Sequence, residues 1–200
     1  MANGWSVFLF FVVVVLMLNG TGPADAQGIA ADFALANGLN EPRGVAVDEA
    51  SRVLYVADTV NNRVLRYDSL DTISATTTPT AVLGQLDFSG TSPNRGGSSP
   101  SQGSLDYPID LWVDSASTLW VADHGNGRVV WWANAHTLGN GSLATGYVGQ
   151  ASWATVNFTG GPDFLVAPGG VVTDANGTLW VADGVDRCVV MMISPSGWLF

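Results

Sequence analysis

Leu54-Tyr55-Val56-Ala57-Asp58 returns as Leu119-Trp120-Val121-Ala122-Asp123 and again as Leu179-Trp180-Val181-Ala182-Asp183. Upstream of each copy lies a proline-led segment that runs to an aspartate: Pro42 to Asp48, Pro108 to Asp114 and Pro168 to Asp174. Downstream, Arg63, Arg128 and Arg187 each open another apolar run. The copies are offset by 65 and then by 60 residues. A fixed period of this size, with several short strand candidates in each unit, marks an array whose units bury their faces only against their neighbours.

The repeated stretch does not alternate apolar with polar. Leu-Tyr-Val-Ala and Leu-Trp-Val-Ala are apolar on both faces, the pattern of a sheet covered on both sides. No helical periodicity follows the leader to supply a covering layer, so other sheets must cover these strands. Face-to-face stacking of small four-stranded antiparallel sheets is a β-propeller, and the fold class predicted is all-β. Strands are expected near 44–48, 53–58, 63–68 and 80–85, then near 110–114, 118–123, 128–133 and 145–150, then near 170–174, 178–183 and 188–193. A fourth strand of the third unit would begin near Trp198, so that blade lacks its outer strand. The units divide as blades at about 39–88, 105–153 and 165–200, after a lead-in at 27–38. A Gly/Ser/Pro-rich linker at 89–104 is expected to be loose.

The first 26 residues stand apart. Val7 to Leu18 is an unbroken apolar run followed by Gly20, Gly22, Pro23 and Ala24-Asp25-Ala26, which has the small-x-small form of a signal peptidase site. Cleavage before Gln27 and secretion follow, with no membrane span in the mature chain. The alternative is an N-terminal membrane anchor, against which the run falls short of the roughly 20 residues a spanning helix needs. All 7 basic residues are arginine, and 17 carboxylates bring the formal charge to −10, a balance that repels phosphate backbones and excludes nucleic acid as a partner. The single cysteine, Cys188, lies in an apolar run and permits no internal disulfide.

Pro42-Arg43-Gly44-Val45-Ala46-Val47-Asp48, then Leu54 to Asp58, then Asn61-Asn62-Arg63-Val64 resemble the NHL repeat. The resemblance covers about 39–67, 105–132 and 165–192. The second copy departs with Ile109-Asp110 in place of Arg43-Gly44, and the third has one residue fewer before Arg187. It implies a six-bladed ring of a kind used as protein-binding scaffolds, RNA-binding surfaces, sensor ectodomains and a few lyase or lactonase-like enzymes. Three blades do not close such a ring, and a half-ring exposes two apolar sheet faces. The chain is therefore expected to be an incomplete product of a longer gene; pairing of two copies through open propeller edges is the alternative.

Asp58 and Asp123 each stand five residues before an arginine across a tight loop, so Asp58–Arg63 and Asp123–Arg128 are read as structural pairs. Asp48, Asp114 and Asp174 are read as turn formers. In a four-stranded meander the loops joining strands two and three share one face with the connections between blades. That face is the expected binding face, with Asn61, Asn62, His124, Asn126 and Asp186 as candidates. Sequons at Asn140, Asn157 and Asn176 fall in predicted loops and are candidate glycosylation sites. Trp120 and Trp180 take the place of Tyr55 and are assigned to the core, as is Trp112, whereas adjacent Trp131 and Trp132 must point to opposite faces.

No His, Cys or carboxylate cluster at ligand spacing supports a metal, a cofactor or a catalytic residue. An axial metal site would draw side chains from the start of each first strand, where Asp110 is the single carboxylate. These features favour a secreted, non-catalytic binding or scaffold propeller acting through loops on one face, for protein or small-ligand interaction, with an unknown protein or glycan as partner. The alternatives are an extracellular propeller enzyme of lyase or lactonase type with an axial metal, and a non-functional truncated fragment.

Overall fold

The computed structural model describes residues 34–35, 38–159, 164–185 and 188–192. The first sheet is β1 (Pro42–Asp48), β2 (Val53–Asp58), β3 (Arg63–Tyr67) and β4 (Ala81–Leu83), antiparallel in the order β1-β2-β3-β4. The second is β5 (Pro108–Val113), β6 (Leu119–Asp123), β7 (Arg128–Trp132) and β8 (Gly146–Val148), in the same order. The third is β9 (Pro168–Thr173), β10 (Leu179–Asp183) and β11 (Cys188–Met192). The signal segment, Asp186, Arg187 and the strand expected near Trp198 lie outside the described residues.

The three sheets stack through their faces, with β1, β5 and β9 adjoining along the inner edge. Tyr55, Ala57, Val64 and Leu83 of the first sheet bury against Leu105, Leu111, Leu119, Val121, Val130 and Trp132. The opposite face of the second sheet, with Trp120, Ala122, Val129 and Trp131, buries against Leu165, Val171, Leu179 and Val181. Successive residues of β6 therefore serve two different cores, which is why that strand is apolar throughout. Trp131 and Trp132 divide the same way, one to each core. Contact between inner strands requires a bare backbone: a Cβ on Gly44 would come within 2.8 Å of Asp110 Cα.

Four expectations are corrected. The fourth strands are shorter than predicted, because Gly84 and Gly149 adopt φ of +87° and +93° and turn the chain away. The 89–104 linker is a hydrogen-bonded strap, in which Arg95 donates to Gly84 O and Gly141 O and the Ser104 hydroxyl donates to Asn94 Oδ1. Trp112 and Trp180 are each 36% exposed: Trp180 because among the described residues no further sheet covers the outer face of the third, and Trp112 on inner strand β5, where its Nε1 donates to Thr173 Oγ1. The two free faces also differ: Leu35, Leu39, Leu70 and Ile73 pack over Leu54, Val56, Leu65 and Tyr67 on the first sheet, while Val172, Trp180 and Val189 of the third stay open.

Candidate functional site

The aspartate that closes each repeated strand ties the chain to the segment before the unit's proline. Asp58 Oδ1 accepts from Asn40 N at 2.6 Å, Asp123 Oδ1 from Asp106 N at 2.7 Å, and Asp183 Oδ2 from Val166 N at 2.7 Å. The arginines complete the joint: Arg63 Nε lies 2.7 Å from Asp58 Oδ2, and Arg128 Nε 2.7 Å from Asp123 Oδ2. Each guanidinium then binds carbonyls of the flanking connections, Arg63 those of Phe88 and Gly38, Arg128 those of Trp153, Ser101 and Ser104. One buried pair thus fixes where the chain enters and leaves its sheet. Asp48, Asp114 and Asp174 hold the opposite turns through Oδ1, accepting from the backbone N–H groups of Ser51, Thr118 and Thr178 among others.

The joints support a loop face made by 59–62, 124–127 and 184–185 with the connections at 84–107, 149–159 and 164–167. The candidate asparagines divide on it. Asn62 is 5% and Asn126 1% exposed, and neither presents its amide to solvent. Asn62 Nδ2 donates to Thr91 O and Oδ1 accepts from Tyr107 N; Asn126 Nδ2 donates to Asp123 Oδ2. Asn61 is half-buried, with Nδ2 donating to Gly38 O and Asp58 Oδ2. His124 is half-buried, its Nδ1 3.2 Å from Pro168 O.

At the inner rim, Arg43 and Tyr107, which the sequence reading did not single out, meet in front of His124. Arg43 donates to the Tyr107 hydroxyl at 2.7 Å and its guanidinium stands 5.0 Å from that ring's centre. The Tyr107 and His124 rings are 6.1 Å apart. Burial pushes the neighbouring Asp106 carboxyl up, with His124 acting against the shift. Asp110 is engaged by the next sheet, Val171 N donating to Oδ2 at 2.9 Å. Among the described residues no three His, Cys, Asp or Glu side chains gather as metal ligands do, and no helix is long and apolar enough to cross a membrane.

Exposed apolar side chains concentrate on this face. Leu86 and Phe88 in the first connection, Phe158 in the second and Val185 in the β10–β11 turn are 66%, 41%, 58% and 60% exposed. On the opposite turns Leu143 is the one large exposed apolar residue among those described. Asn140 and Asn176 are exposed on those opposite turns, and Asn157 is half-buried in the second connection, its Oδ1 accepting from Thr159. Asn140 Oδ1 accepts from Val82 N, closing the outer edge of β4.

Face-stacked four-stranded sheets ranged along a line of inner strands define a β-propeller-type chain. The NHL repeat family matches residues 39–67, the span of β1 to β3, so the first of the three sheets carries an NHL repeat. None of the curated proteins matches it. Solved structures that resemble it include a luciferin-regenerating enzyme, with TM-score 0.45 and 16% identity over 76% of this chain and 43% of that one. A streptogramin B lyase resembles it with TM-score 0.40 and 13% identity over 77% of this chain and 41% of that one. The chain spans less than half the length of either.

Proposed function

We propose that the chain is a secreted, non-catalytic binding or scaffold propeller that engages a protein or glycan ligand through the loop face. The observation that carries this reading is the concentration of Leu86, Phe88, Phe158 and Val185 on one face of a rigid frame, beside the Arg43–Tyr107 pair. Apolar anchors rimmed by polar groups are what a recognition surface needs. The buried asparagines on that face hold the loops and leave contact to these side chains. Asp110, the single carboxylate at the starts of the inner strands, is engaged by the next sheet through the Val171 N–H on its Oδ2, which does not favour the enzyme alternative.

The test compares the purified chain with an F88S/F158S variant on a glycan array and on an array of extracellular protein domains. Binding that the variant loses supports the reading. Metal-dependent turnover of lactone or ester substrates, abolished by D110N and kept by F88S/F158S, would overturn it.

A further inference from the structure

In the second and third sheets the tryptophan of the repeat satisfies the aspartate that ends the first strand. Trp120 Nε1 donates to Asp114 Oδ2 at 2.9 Å, and Trp180 Nε1 to Asp174 Oδ2 at 3.4 Å. The first sheet carries Tyr55 instead, fully buried, and its hydroxyl makes no hydrogen bond among the described residues. Asp48 keeps the turn bonds of its counterparts, Oδ1 accepting from Ala50 N and Ser51 N at 3.1 Å each. Its Oδ2 is buried and receives no donor among the described residues, although Asp48 is only 3% exposed. An oxygen in that state has lost its hydration without replacement, and the cost is greater when it is charged.

His136, from the turn between β7 and β8 of the second sheet, faces that oxygen. Its Nδ1 is 3.8 Å from Asp48 Oδ2 and also makes no hydrogen bond among the described residues. Arg66 of β3 fixes the turn in place, donating to Ala135 O and Leu138 O on either side of the imidazole. Charged neighbours on both sides are already engaged. A hollow of about 490 Å³ brings Arg52, Asp68 and Asp71 beside His136, but Asp71 pairs with Arg52 and Asp68 with Arg66. On the far side a second hollow brings Glu49, Asp114 and Ser117 beside Asp48; Glu49 pairs with Arg52, and Asp114 accepts from Trp120. Asp48 is left as the carboxylate with no arginine or indole of its own.

We propose that Asp48 and His136 form a proton-operated clasp between the first two sheets. Protonation of the imidazole supplies the donor and the charge that Tyr55 does not, and draws the 3.8 Å contact into an ion pair. Burial acts to raise the Asp48 carboxyl, but the Ser117 and Ser51 groups and the His136 charge prevail and hold it below the ordinary carboxylate range. A carboxyl lowered in the fold stabilises the protein above its unfolded value, about 3.9, and loses that contribution as pH falls through the folded value. The imidazole is charged in the unfolded chain below roughly pH 6.5. The clasp is closed where the imidazole is protonated while Asp48 is ionised, and opens where the imidazole is neutral.

Urea unfolding of the full chain, H136Q, D48N and the double variant at about pH 5 and about pH 8 tests the clasp. At the lower pH the double-variant cycle gives a coupling of roughly threefold to tenfold in the unfolding constant, and at the higher pH it gives none. H136R carries a permanent charge and shows the same stability relative to D48N/H136R at both values. Equal coupling in wild type at the two pH values, or none at either, would overturn the proposal. Should D48N not fold, the stability difference between wild type and H136Q at the two pH values decides alone: a larger difference at the lower value supports the clasp, and a constant one refutes it.

Discussion

At the scale of single residues, the aspartate of the repeat does its work through an arginine. Asp123 and Arg128 side chains are both 0% exposed, and the guanidinium binds Trp153, Ser101 and Ser104 carbonyls as well as the carboxylate. Removing one member leaves the other buried, charged and without its counter-ion, a change that destabilises by about 3–5 kcal/mol. Arg128→Met is expected to lower the urea midpoint by that equivalent. Arg52→Met, whose partners Asp71 and Glu49 are exposed, is expected to change it little. Equal effects from the two variants would show that the joint is not what holds the connections. The pairing itself was legible in the five-residue spacing, because a hairpin places those positions opposite each other in register. The grip on distant carbonyls was not, since its partners lie 24 to 27 residues away in Arg128's case and leave no local pattern.

At the scale of elements, the strands were readable because their determinants are local. Two-faced apolar runs, proline at the entrance and Asp or Asn in the turns placed all of β1 to β11 within a few residues. The fourth strands came out short for a reason that lies in the next sheet. After each, a glycine at positive φ brings the backbone under a leucine: a Cβ on Gly84 would meet Leu105 Cδ1 at 2.5 Å, and one on Gly149 would meet Leu165 Cδ1 at 2.6 Å. The glutamine that follows spans the opening, Gln85 Nε2 donating to Asn62 O and Ser92 O, Gln150 Nε2 to Gly127 O and Leu165 O. The echo Gly84-Gln85 and Gly149-Gln150 was visible as repetition, but the leucine it serves is 16 to 21 residues on. Gly84→Ala should cost about 2–4 kcal/mol, from the left-handed backbone and from displacement of fully buried Leu105. A denaturation midpoint within error of wild type would mean that Leu105 moves aside freely.

At the scale of the whole molecule, the decisive asymmetry is between the two free faces. The first sheet's is covered in part by Leu35, Leu39, Leu70 and Ile73, whereas the third sheet's shows Val172, Trp180 and Val189 at 41%, 36% and 68% exposure. Sequence alone placed Trp180 in the core by analogy with Trp120, which was right about the position in the repeat and wrong about its surroundings. Trp120 is 6% exposed only because Leu165, Val171, Leu179 and Val181 cover it. The third sheet thus offers to solvent the counterpart of a face that the second sheet buries. An apolar face of this kind drives association in water. The chain taken alone is expected to self-associate as its concentration rises in sedimentation velocity, with Trp180 fluorescence shifting to the blue. Val189→Glu, at the most exposed position of that face, should shift the equilibrium toward monomer without lowering the unfolding midpoint, because no packing is lost. Val185→Glu, equally apolar but set in the loop face, should leave the association unchanged. If Val185→Glu dispersed the assembly and Val189→Glu did not, the contact would belong to the loop face. The exposed residues there would then be meeting another copy of the chain, and the binding surface assigned to Leu86, Phe88 and Phe158 would be an interface between copies.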